Sequence, residues 1–182
     1  MANLPVYVVD IMKAAAAATN AALRADVDSY LATTNKNINF QYGDKDEITK
    51  QMQLLTQGTT SKNTKYPFIG LVMPFTEKRG VEFYADVTFP RIIIATVTGA
   101  DEDFNKRYES YFKPVLYPIY YELLNQLMRV PGIVISIADP DHIDHTKMDV
   151  PKIIPKESGL NDHVDAIVIS NMRLTFRAAQ IC

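Results

Sequence analysis

Residues 81 to 99 read VEFYADVTFPRIIIATVTG, and this stretch restricts the fold more than any other. Val81, Phe83, Ala85, Val87 and Phe89 alternate with Glu82, Tyr84, Asp86 and Thr88. Residues two apart on a strand share a face, so the first half is a strand with one buried and one polar side. Ile92, Ile93 and Ile94 then follow one another without a polar break. That second half is apolar on both faces and must be covered twice, by the chain's own helices or by another subunit. Between the halves stands Pro90, which has no N–H to give a ladder and marks an edge, bulge or bend.

The rest of the chain supplies layers for such a strand. NLPVYVVDIMKAAAAATNAAL is a helix: Asn3 is the candidate cap, Pro5 falls in the first turn, and the alanines favour the helical state. Its end is expected between Leu23 and Thr33, and its alanine run lets a second backbone approach closely. NINFQYG is a short strand ended by Gly43. DKDEITKQMQLL is a short helix with Asp44 or Asp46 as cap. YPFIGLVMPF is a strand, and TEKRG has the composition of a hairpin turn.

Asp101 or Asp103 opens the clearest helix, which runs to about Arg129. Tyr108, Tyr111, Phe112, Val115, Leu116, Ile119, Leu123, Leu127 and Met128 form its apolar stripe at helical spacing. Pro114 and Pro118 should kink it or split it. Glu102, Asp103, Lys106 and Arg107 are accounted for as first-turn acids and i,i+4 pairs. Tyr108, Tyr111, Tyr117, Tyr120 and Tyr121 surround the helix, and those off the stripe suit a protein interface. VPGIVISIA is a strand, residues 139–163 a long polar loop, and DAIVISNMRLTFR a last long strand. On it Val164, Ala166, Val168, Met172, Leu174 and Phe176 are expected to share one face. The order of elements predicts a single α+β domain over residues 1–182: a mixed, mainly antiparallel sheet with helices packed on one face.

Composition bounds the function. Net charge is −2 and the isoelectric point near 5.9, which argues against nucleic-acid binding by bulk charge. The single cysteine, Cys182, excludes an internal disulfide and a cysteine-based zinc cluster. No segment reads as a signal peptide or a membrane span.

The candidate chemistry is in DPDHIDH. Asp139, Asp141, His142, Asp144 and His145 are all metal-ligand types, and His163 is a possible further imidazole. A zinc or iron site needs three or four ligands converging at about 2.0–2.3 Å. An EF-type calcium loop would place Gly sixth and Glu twelfth, where this chain has Asp144 and Val150. Pro140 interrupts any helix here, and a solvated surface loop is the main reading of the stretch; a metal-dependent enzyme using Asp139, Asp141, His142, Asp144 and His145 is the alternative. No nucleophile elbow and no phosphate-binding glycine loop is present.

YPFIGLVMPF, VEFYADVTFPRIIIATVTG, KRYESYFKPVLYPIYYELLNQLMR and DAIVISNMRLTF together resemble the neck and tail-completion proteins of tailed bacteriophages. In texture they are most like those of phages of gut Bacteroidetes. The likeness runs from about residue 38 to 177. It implies a tail terminator-like structural protein of the virion, made in the host cytoplasm, with no catalytic, cofactor-binding or metal-binding residues and no membrane partner. It also implies a homo-oligomeric ring, six- or twelve-fold, between portal, connector or tail proteins, with duplex DNA passing through without tight binding. A lumen wall of that kind should be neutral or acidic, since each phosphate neutralised adds affinity. Asp44, Asp46, Glu47, Glu82 and Asp86 are the candidates for such a wall. Lys78 and Arg79, in the expected hairpin turn, would meet a neighbouring subunit.

Overall fold

A computed structural model of the chain describes residues 7–44, 46–48, 50–51, 65–79, 84–99, 102–136, 143–149 and 163–177. The elements are α1 (Val8–Ala25), α2 (Tyr30–Thr34), β1 (Asn39–Gly43), β2 (Phe68–Val72), β3 (Thr76–Arg79) and β4 (Tyr84–Val97). Then come α3 (Phe104–Arg107), a π-helical segment (Tyr108–Leu116), α4 (Tyr117–Met128), β5 (Ile133–Ser136), β6 (Ile143–Asp149) and β7 (His163–Arg177). The seven strands form one sheet in which β1 and β2 are parallel and every other pair is antiparallel. The fold is α+β, as the order of elements predicts.

The long strands β4 and β7 pair along their whole length, and each changes its outer partner half-way. β3 pairs with β4 over Ala85–Thr88, and β2 takes over from Arg91 to Ala95. On the far side β5 pairs with β7 over Arg173–Phe176, and β6 with His163–Ile169. The sheet is thus two half-sheets stacked end to end on a common central pair.

The join has a local cause. Phe89 pairs with Met172 and Arg91 with Ser170, while Pro90 and Asn171 between them take no part in the ladder. Asn171 has φ +55°, left-handed backbone that Asn tolerates better than most residues. Each strand therefore has one extra residue at the same level, and each reverses its alternation there. Ala85, Val87 and Phe89 face the main core before the join, and Ile92 and Ile94 face it after. On β7 the same core takes Ile167 and Ile169, then Met172, Leu174 and Phe176. This corrects the expectation that Val164, Ala166, Val168, Met172, Leu174 and Phe176 share a face. Val164 and Ala166 belong to the second core, and a pattern of period two cannot show a reversal caused by one backbone angle.

The main core lies between the sheet and the helices. Met12, Ala15 and Ala16 of α1 meet it, with Phe112, Val115, Leu116, Ile119, Leu123 and Leu127 from the π segment and α4. The alanines do let two backbones approach, since α1 packs on α4. On the opposite face Ile93, Ala95, Val164 and Ala166 cluster with Phe68 and Val72 of the neighbouring strand β2 and with Ile48 and Tyr66. The triple-isoleucine half is therefore buried on both sides by the chain itself. Ile48 is placed by a reciprocal capping box: Glu47 N–H donates to Asp44 Oδ1 at 2.8 Å, and Asp44 N–H to Glu47 Oε2 at 2.9 Å.

Two other expectations are corrected. Thr76–Arg79 is strand β3 and not a turn, because it completes the first half of β4. Its four exposed residues, three of them charged, suit an edge strand that must not recruit another chain. Residues 139–163 are not a continuous loop, because Ile143–Asp149 is strand β6. The inner half of β7 is buried on both faces, so its free backbone edge needs a partner. Asn3 and Asp101, as possible caps, lie outside the described residues.

Candidate functional site

The helical stretch after Asp103 presents the most distinctive surface. Asp103 is the cap: its Oδ1 accepts from Lys106 N–H at 2.8 Å, and its carbonyl from Arg107 N–H at 3.0 Å. The chain then widens into the π segment, whose bonds run from i to i+5, so that Tyr117 N–H reaches Phe112 O. Pro114 lies inside it. In an α-helix the proline ring meets the carbonyl four residues back, and the wider coil relieves that clash. Pro114 is thus accommodated inside the π segment and Pro118 in the first turn of α4, without a break between them.

This change sets which residues face outward. Nine residues span two and a half α-helical turns, which puts positions i and i+9 on opposite sides. In a π-helix of about 4.4 residues per turn they span close to two turns and share a side. Tyr108 and Tyr117 accordingly meet edge to face with centroids 6.2 Å apart, and Tyr117 meets Tyr121 at 6.3 Å. Tyr121 in turn packs on Tyr120 at 5.1 Å. Phe104 is 70% exposed, Tyr121 59% and Tyr108 38%. Phe104, Tyr108 and Tyr121 form an aromatic stripe on the outside of the helix layer, with the half-buried Tyr117 between Tyr108 and Tyr121 and packed on the core, flanked by the Glu109–Lys113 pair at 3.0 Å. Tyr108 and Met128 were expected on the buried stripe and are exposed instead. The π segment rotates Tyr108 outward, and Met128 follows Leu127 around the last turn. Tyr120, by contrast, is buried, and burial raises its phenol pKa, with Tyr121 as the second cause.

The other face of the same turn is anchored. Arg107 is buried, and its guanidinium grips the fully buried Asp165 of β7 with both Nε, at 3.1 Å, and an Nη. Asp165 stands opposite Thr96, itself buried, on the helix side of the sheet. Arg107 therefore does not belong to the surface i,i+4 pairs. Glu102 and Lys106 do form one, at 3.0 Å. Lys106 and then Tyr111 hold the Glu102 carboxyl below its ordinary pKa, and burial raises that of the Tyr111 phenol. The signals in the sequence were Pro114 and Pro118 four apart, and one aspartate in an otherwise apolar strand.

The Asp/His stretch is only partly placed. Asp139, Asp141 and His142 lie outside the described residues. Asp144 of β6 pairs with Val168 of β7, and His145 with Ile167. His163 pairs with Asp149, four residues along β7 from the partner of His145, which is about 13 Å of strand. The register therefore does not bring positions 144, 145 and 163 together. Among the described residues no three His, Cys, Asp or Glu side chains form a group that could hold a metal ion.

The expected acidic wall is also revised. Asp44, Asp46 and Glu47 are exposed. Asp86 is buried: Arg173 donates to one carboxylate oxygen, and Thr175 Oγ1 to the other at 2.6 Å. Lys78 stands opposite Asp86 on β3, in a strand and not in a turn. Asp86 is thus neutralised within the sheet and adds no acidic surface. Glu82 lies outside the described residues. Among the described residues, no helix is long and apolar enough to cross a membrane. Comparison with protein-family models, with curated proteins and with solved structures gives no match.

Proposed function

We propose that this chain is a structural protein that associates with copies of itself into a ring, at the head–tail neck or tail end of a tailed phage. The ring would join the capsid and portal side to the tail and let duplex DNA through its lumen. The observation that carries the reading is the exposed aromatic stripe of Phe104, Tyr108 and Tyr121, backed by the half-buried Tyr117, on a firmly packed helix layer. Large aromatic residues are enriched where proteins meet, because they supply contact area at little entropic loss. The element order adds support: an N-terminal helix, a strand, the antiparallel β3–β4 pair, a second long helical stretch and further strands, as in the terminators the sequence resembles.

The test combines sedimentation with negative-stain microscopy. Closed rings are expected from the purified protein, and Phe104→Ser/Tyr121→Ser should shift it to single chains with unchanged helix content. A mass of one chain at high micromolar concentration, with no rings on the grid, would sink the proposal.

A further inference from the structure

We propose that the Arg107–Asp165 ion pair is a register latch. It holds residues 108–116 in the π conformation and so fixes the direction in which the Phe104–Tyr108 aromatic face points. This goes beyond the proposed ring, and stands whether or not the aromatic face is a ring contact.

Two buried groups nine residues apart set the geometry. Leu116 is fully buried in the main core, and Arg107 is buried against Asp165. In a continuous α-helix, burying Leu116 would turn position 107 to the opposite, solvent side, since nine residues make two and a half turns. Asp165 would then keep its charge in the core without a cation, which burial strongly disfavours. The π coil brings both positions to the same side. The same rotation lays Tyr108 beside Tyr117, and puts Phe112 against Tyr117, five residues on, at 6.2 Å.

Pro114 favours the wider coil but does not determine which residue faces the sheet. Only a group on the sheet can do that, and Asp165 is the charged group on this face of β7 that meets the helix. A helix with two discrete registers, chosen from one end, is a device by which a sheet residue controls the exposed surface on the opposite side of the helix.

The test reads proton–proton contacts between selectively labelled Tyr108 and Tyr117 rings by nuclear magnetic resonance. The unmodified protein should show them. Arg107→Ala/Asp165→Ala removes the latch without leaving a buried charge. It should lose the Tyr108–Tyr117 contact while keeping core contacts such as Leu123 with the sheet. Pro114→Ala leaves the ion pair in place and should keep the ring contact. Persistence of the contact in the folded double-alanine protein would overturn the latch. So would its loss in Pro114→Ala, a change outside the buried core that decides the matter even if the double-alanine protein does not fold.

Discussion

Arg107 Nε donates to Asp165 Oδ2 at 3.1 Å across 58 residues of sequence, and this pair joins the start of the helix layer to the sheet. Both partners are buried, so the pairing offsets charge that burial disfavours. Asp165→Ala should lower stability by roughly 3–5 kcal/mol, because it strands a buried guanidinium. Arg107→Met/Asp165→Leu should recover most of that loss, because apolar groups of similar volume need no partner. Urea denaturation of the two variants checks this. Equal losses in both would mean that packing volume, and not charge, matters at this point.

Asn171 is where β7 reverses its alternation. Asn171→Val should cost about 1–2 kcal/mol, since a β-branched residue is disfavoured at φ +55°. Asn171→Gly should be close to neutral. A valine variant as stable as the parent in thermal melts would show that the strand reaches its second face in some other way.

Leu116 and Leu123 are both fully buried between helix and sheet. Truncating either to alanine should cost roughly 2–5 kcal/mol in denaturant titrations. A change below about 0.5 kcal/mol at both positions would be incompatible with the core described.

Gly43 has φ +143°, and a Cβ there would come within 2.5 Å of Glu47 Oε2, inside the capping box. Gly43→Ala should therefore destabilise the protein by more than Glu47→Ala, which removes a single cap bond of about 1 kcal/mol. Paired melts decide the order, and the reverse order would show that the box tolerates a side chain at position 43.

The Glu102–Lys106–Tyr111 cluster predicts a pH response at each end of the scale. The Glu102 pKa lies below its ordinary value of 4.5, with Lys106 the main cause. Its contribution is present above that value and is lost as the solution is acidified through the lower, folded value. The Tyr111 phenol is raised above its ordinary 10.0, mainly by burial. A neutral phenol is what folding favours, so its contribution is complete below pH 10.0 and lost as pH rises through the folded value. Glu102→Gln should flatten the acid limb of stability against pH, and Tyr111→Phe the alkaline limb. Unchanged limbs in both variants would remove the cluster from the pH response.

Much of the architecture is set by local properties of the chain. The alternation before Pro90 and the apolar run after it distinguish a half with one apolar face from a half with two, because side-chain alternation along a strand is a local property. Asp44 and Asp103 cap where capping chemistry puts them, since a cap needs only the next three residues. What the tertiary structure decided are matters of partnership. Thr76–Arg79 and Ile143–Asp149 are strands because β4 and β7 have edges to fill, and their own polar composition gives no sign of it. The faces exchange at Pro90 and Asn171 because two strands add a residue at the same level, which no single segment records. Tyr108 points outward because Arg107 must turn inward to a carboxylate 58 residues away. Helical periodicity is a local rule, but the phase of a helix is set by whichever distant group most needs to be met.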